Sequence, residues 1–340
     1  MFGNTYGLDL GTYEIKVYDK KSDELYKVKN TIAIKDKKHL FAIGDEAYEM
    51  YEKAPSNIEI IFPMSKGVIS RFHDMQILLY ELLKNEKNFS RGATYIVAVP
   101  TDVTEVEKKA FYDLVVHSSA KAKNVYIIDR GIADALGHKI DVLNIQGALL
   151  VNLGADTTDL SVISQGGIVM NKLIKRGGNQ IDINIQNAIR YKHDFVIGQS
   201  TAELIRTNLD LFNAKNAQTI SVFGRNIITG VPDKLEVSTN DIRVAVKDAL
   251  DECVKSIQSI LDRTPPNFLK TILQDGLYLS GGVANTKGID TYLSAALGIP
   301  VTVAYRPEFN TIRGLSQIVL SKDLMNLTAS LLDGNYRWMK

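Results

Sequence analysis

Apolar and polar residues alternate over residues 5–43, with polar breaks at 20–23 and 36–38, a period of two that predicts a run of antiparallel strands. Residues 45–52 then read as a short helix. Residues 61–72 (IFPMSKGVISRF), which carry a Pro and a Gly, read as the return from a small inserted lobe. Over 74–84, Ile77, Leu78, Tyr80 and Leu82 fall at helical spacing. Residues 95–99 form a buried strand. Thr104 and Glu107 then make a capping box, and Val106, Ala110 and Leu114 recur every four residues as the core face of a helix. A strand at 125–128 runs into Asp129, Arg130 and Gly131 and a helix over 132–136. Strand and helix in alternation predict a parallel or mixed sheet with helices on its faces.

From Leu149 the plan restarts. Strands are expected at 149–153, 159–164 and 168–173, the last two joined by Gln165-Gly166-Gly167. Gly177-Gly178 opens a helix from about Gln180, and Ser200 with Glu203 gives a second capping box ahead of Leu204, Ile205 and Leu209. Residues 221–237 read as short strands and turns, a second inserted lobe. The longest helical pattern, 241–261, is stopped by Thr264-Pro265-Pro266, and Cys253 falls on its core side with Leu250, Val254 and Ile257. A buried strand at 276–280 leads into Gly281-Gly282, a helix runs from Gly288 to Gly298, and a last helix over 311–320 has Ile312, Leu315, Ile318 and Val319 to bury. The two halves share one plan, so an internal duplication with a ligand cleft between the halves is expected.

Composition narrows the function. The 340 residues suit two domains, and a net charge of +1 gives no electrostatic case for nucleic acid. A single cysteine excludes an internal disulfide framework or a cysteine zinc site, and the five histidines lack ligand spacing. No apolar run is as long as a membrane span, and the start MFGNTYGLDL lacks the form of a signal peptide, so a cytoplasmic chain is expected.

The candidate chemistry sits in three turns. Residues 7–18 (GLDLGTYEIKVY) and 149–164 (LLVNLGADTTDLSVIS) each set an apolar run ending in a carboxylate or amide before a Gly-Thr turn and a second β-rich run. Glycine there lets backbone N–H groups approach a phosphate. Residues 277–289 (LYLSGGVANTKGI) place a Gly-Gly turn after a strand, which suits a flat adenine and its ribose. In this order the three turns resemble the signature shared by actin, the heat-shock chaperone ATPases and the sugar kinases. The segments IFPMSKGVISRF, VPTDVTEVEKKA, QGGIVMNKLIKRGGNQID, IGQSTAELIR, GRNIITGVPDKLEV and TPPNFLKTIL resemble those of the MreB family of bacterial actins, and the similarity runs over about residues 7–320.

The resemblance implies an α/β, actin-like (ribonuclease H-like) duplicated fold. Domain I would span 1–141 with an inserted lobe at about 32–66, and domain II 142–308 with a lobe at about 179–244. Residues 309–340 would return to domain I as a helix and tail. It further implies ATP or ADP with Mg2+ in the cleft, and self-assembly into antiparallel double filaments that work in cell shape or mechanics. By the same carry-over Asp9 and Asn152 would hold metal-bound water. Gly11, Thr12, Tyr13 and Lys16 would take one side of the phosphates, and Gly154, Ala155, Asp156, Thr157 and Thr158 the other. Gly281, Gly282 and Val283 would border adenosine, and Glu203 and Arg206 the ribose and base.

The chain departs from that family at the chemistry. The family's helix before the second turn begins Glu-Pro, with the Glu positioning the attacking water; here Arg130-Gly131 stand there, and Arg is always protonated. The family's Asp at the head of the second turn is Asn152, its third Gly is Asp156, and Glu14 replaces an Asn, adding negative charge beside the phosphates. Losing a positioned acid or base costs roughly 10² to 10⁴ in rate, so slow or impaired hydrolysis and weak Mg2+ dependence are expected. Asp129 or Asp156 as a substitute carboxylate, or Arg130 as a transition-state cation, would restore an ordinary ATPase. A small-molecule kinase on this fold is the remaining reading, but no segment builds its second pocket. Expected partners are further copies of the chain, cell-shape proteins, and the inner face of the membrane, reached through Phe89 in the 85–91 loop, through Met1 and Phe2, or through the tail with Trp338.

Overall fold

A computed structural model describes residues 3–84, 91–213 and 215–330. The membrane-contact candidates Met1, Phe2, Phe89 and Trp338 lie outside the described residues. The first apolar run, Thr5–Leu10, is buried almost throughout because it is the middle strand of a five-stranded sheet. It pairs antiparallel with Glu14–Asp19 and parallel with Thr94–Val99; Glu24–Lys29 and Asn124–Asp129 form the two edges. The second half repeats this order around Ala148–Leu153, which pairs antiparallel with Thr158–Ser164 and parallel with Leu277–Ser280, with edges Gly167–Ile174 and Val301–Val303. The identical strand order is the duplication that the repeated pattern predicts.

Each half carries a smaller sheet. The first joins His39–Ile43, Ile32–Lys35 and Ile58–Ile61 beside helix Gly44–Glu49. The second joins Phe195–Val196, Thr219–Asn226 and Pro232–Ser238, beside helices Gly178–His193, Gln199–Asn208 and Thr239–Arg263. The long helix carries a capping box of Ser238 and Asp241 and buries Cys253.

Two helices, Arg130–Gly137 and Asn310–Leu320, fill the space between the large sheets. They join Ile96 and Ile128 of the first sheet to Leu150 and Ile163 of the second through Ile132, Ile312, Leu315 and Ile318. Glycine sets their separation: a Cβ on Gly314 would stand 1.8 Å from the Ala133 carbonyl oxygen, and one on Gly137 2.2 Å from that of Asn310. These helices form the floor from which the central strands present their carboxyl ends to one crevice, where ligands of such sheets bind.

Two sequence expectations are corrected. Of the expected core face only Leu114 is buried; Val106 is exposed, Ala110 is half-buried, and helix Glu105–Val116 buries Lys108, Phe111, Tyr112 and Val115 beside Leu114. Residues two apart on a helix point about 200° apart, and Lys108 turns inward because its Nζ meets Asp129 Oδ1 at 3.8 Å. Ser200 and Glu203 make no capping box: the N-cap is Gly198 in place of Ser200, so the helix begins at Gln199, two residues earlier than that box requires. That leaves the Glu203 carboxylate for a longer-range partner.

Candidate nucleotide site

The two Gly-Thr turns have the same local geometry. Gly11 N donates to the Glu14 carbonyl at 3.1 Å, and Gly154 N to that of Thr157 at 2.9 Å. A Cβ on Gly11 would lie 2.7 Å from that same Glu14 oxygen, so the first turn requires glycine. The turns face each other across a cavity of about 310 Å³ at the carboxyl ends of the central strands. Asp9, Gly11, Thr12, Tyr13, Lys16 and Arg130 line it from the first half, and Asn152, Gly154, Ala155, Thr157, Glu203, Arg206, Gly281, Gly282 and Val283 from the second. Gly281 has φ +87°, and a Cβ there would stand 2.3 Å from the Leu153 carbonyl oxygen, so the Gly-Gly turn lies flat on the central strand.

Three residues expected at the site stand off the cavity wall. Asp129 turns to Lys108, and burial pushes its carboxyl up to about 7 against the pull of that lysine. Thr158 is buried and donates its hydroxyl to the Arg176 carbonyl at 2.9 Å. Asp156 accepts from Asn179 Nδ2 at 2.6 Å and from Lys66 N at 3.0 Å, the latter joining the hairpin of strands Met64–Ser65 and Val68–Ile69 in the first half to the second. Asp129 and Asp156 are therefore held by other partners and do not face the phosphate end as substitute carboxylates.

Glu14 is also corrected. It does line the cavity, but Lys27, Lys29 and Lys16 approach its carboxylate at 2.8, 3.0 and 3.6 Å. Burial alone would raise this carboxyl; the three ammonium groups outweigh it and hold it at about 2. The turn thus gains positive charge. Lys27 and Lys29 lie two apart on strand Glu24–Lys29 and so share one face, a spacing that could have marked them in the sequence.

The remaining carboxylates of the cavity are each engaged. Asp9 Oδ1 lies 3.8 Å from Arg130, and both side chains are buried. Asp182 accepts from Arg206 Nε at 2.7 Å; burial raises its carboxyl against that guanidinium. Glu203 accepts from the Tyr13 hydroxyl at 2.7 Å across the cleft, and Glu308 from Asn285 Nδ2 at 2.9 Å. Behind the wall lies Asp134, fully buried, which accepts from Thr311 Oγ1 at 2.6 Å and Asn152 Nδ2 at 2.9 Å. Burial pushes its carboxyl up to about 6, those two donors notwithstanding. Asp134 escapes a reading by pattern, because helical spacing does not tell a buried carboxylate from a solvated one.

Two matched sheets, a smaller sheet in each half and a cleft lined by paired glycine turns define an actin-like protein. The chain belongs to the MreB/Mbl family: residues 3–326 match the family described as MreB/Mbl protein. It is 30% identical over 311 residues to the cell shape-determining protein Mbl of Bacillus subtilis, covering 90% of this chain and 93% of that one. With the cell shape-determining protein MreB of Escherichia coli the identity is 31% over 323 residues, with 92% of each covered. Among solved structures, MreB 5 of Spiroplasma citri bound to AMPPNP superimposes with a TM-score of 0.90 at 29% identity, covering 96% of this chain and 99% of that one. The same protein bound to ADP gives 0.89, with 95% and 99% covered. A MamK double helical filament shares the fold at a TM-score of 0.80 and 20% identity, over 94% and 99% of the two chains.

A resident Mg2+ does not fit the donors present. Of the two positions expected to hold its water, Asp9 faces a guanidinium and Asn152 is an amide that donates to Asp134. Magnesium supplies charge neutralisation to a triphosphate when it is bound; here Lys16, Arg130 and the lysines around Glu14 stand ready to do that.

Proposed function

We propose that this chain is the subunit of a cytoplasmic filament of the bacterial actin type, that it binds ATP and ADP in the central cleft, and that it hydrolyses ATP slowly. Family membership supports filament formation, and the AMPPNP and ADP complexes of the MreB 5 relative support the nucleotide class. In this reading the Gly11 and Gly154 turns receive the phosphates, Lys16 and Thr157 flank them, Gly281, Gly282 and Val283 border adenosine, and Glu203 and Arg206 the ribose and base.

Slow hydrolysis rests on one observation: every carboxylate lining the cavity already has a cation or hydrogen-bond donor, and Arg130 stands at the head of the helix where the family's water-positioning Glu is expected. An Arg cannot accept a proton from water. Its guanidinium also neutralises Asp9, the one carboxylate left at the phosphate end besides Glu14.

Phosphate release during assembly tests this. Wild-type protein is expected to form filaments, seen by electron microscopy, while releasing phosphate some 10²-fold or more below a carboxylate-equipped relative. Arg130→Glu is expected to release phosphate faster. Rapid release by the wild type, slowed by that change, overturns the reading and makes Arg130 a transition-state cation.

A further inference from the structure

The carboxylates beside the Gly11 turn already have protein cations as partners. The cavity as a whole is lined by five cations and five carboxylates; beside the Gly11 turn Asp9 faces Arg130, and Glu14 is approached by Lys16, Lys27 and Lys29, so neither carboxylate there lacks a cation. The Arg130 guanidinium is buried and stands within 3.8 Å of the carboxylate that would otherwise draw a hydrated divalent ion.

Asn152 reinforces the arrangement. Its amide donates to Asp134 at 2.9 Å and to Thr311 Oγ1 at 3.2 Å, so the neighbouring buried carboxylate is held behind the wall by an amide and a hydroxyl. Asp134 does not line the cavity. A metal-free triphosphate entering here meets Asp9 already neutralised and Glu14 surrounded by lysines. In a site with two unpaired carboxylates the same ligand would be repelled until a divalent cation came with it.

We propose that protein cations, with Arg130 foremost, take over the charge balance that a divalent metal would otherwise provide, so that this cleft binds metal-free nucleoside triphosphate nearly as well as the magnesium complex. This rests on the nucleotide-binding reading above and concerns the ligand's charge state. The ligand class is a polyphosphate nucleotide carrying its full negative charge.

The experiment is a fluorescence titration of the purified full chain with methylanthraniloyl-ATP, in excess Mg2+ and in excess EDTA. The two wild-type affinities are expected to agree within about threefold, and the double variant Arg130→Glu/Asn152→Asp to bind at least about tenfold more weakly in EDTA than in Mg2+. Arg130→Lys should keep the wild-type insensitivity. A wild type that loses about tenfold or more on metal removal overturns the inference while leaving nucleotide binding intact. Absence of binding under both conditions overturns the nucleotide reading itself, and this inference with it. The wild-type comparison needs no substitution, so the result does not depend on the variants folding.

Discussion

Asp129 shows how one buried pair governs both local structure and pH response. Its carboxyl is pushed up to about 7 by burial, with Lys108 opposing and Asp159 adding to the rise. A carboxyl whose folded value lies above its unfolded one contributes stability that is complete at low pH and is lost as pH rises through the folded value. The loss therefore falls between about 3.8 and about 7. Asp129→Asn carries no such charge. Its unfolding free energy is expected to gain on the wild type by roughly 2–4 kcal/mol between pH 5 and pH 8. Denaturant melts at the two pH values measure this, and a difference that stays constant with pH refutes it.

The cleft is closed by contacts between elements of the two halves that need no ligand. Tyr13 donates to Glu203 at 2.7 Å, Lys66 N to Asp156 at 3.0 Å, and Gln199 N to Glu52 at 3.4 Å. Lys29 stands 3.6 Å above the Tyr13 ring and holds it in place. Breaking a hydrogen bond to a charged partner costs about 1.5–3 kcal/mol, so Tyr13→Phe is expected to speed nucleotide dissociation about tenfold. Stopped-flow chase of a fluorescent nucleotide reads that rate, and an unchanged value removes the clasp from control of exchange. On the floor, the crossing of Arg130–Gly137 with Asn310–Leu320 leaves no room at Gly314. Gly314→Ala must push the helices apart and is expected to cost about 1–3 kcal/mol, read as a lowered unfolding midpoint. A neutral result means that the helices can shift without loss.

Assembly of the whole molecule needs apolar surface that the subunit leaves uncovered. The turn between Thr219–Asn226 and Pro232–Ser238 exposes Ile227, Ile228 and Val231, with Ile228 79% accessible, and Phe223 stands out from the first of these strands. A tip this apolar is costly to leave in water, and in the filament reading proposed above it is the subunit contact that a substitution can test. Ile228→Asp is expected to raise the concentration needed for filaments about tenfold or more while leaving nucleotide binding unchanged, since the tip does not line the cavity. Sedimentation over a concentration series reads this, and unaltered assembly places the subunit contact elsewhere. Among the described residues no helix is long and apolar enough to cross a membrane.

The order of elements, the duplication and the three glycine turns could be read along the chain, because alternation, helical period and the small-residue demand of a close backbone approach are local properties. The opening of the helix at Arg130 in place of Glu-Pro was legible for the same reason. Partnership was not. Glu14 reads as an added negative charge until Lys16, Lys27 and Lys29 converge on it, and Glu203 reads as a cap until Tyr13 reaches it from 190 positions away. Asp129 and Asp156 have the right chemistry for a site that they do not face, and Asp134 gives no local sign of its role. A side chain's charge follows from its type, but the field it lives in comes from groups that only packing brings within a few ångströms, and that field decides whether a carboxylate acts as a base, a clasp or a buried acid.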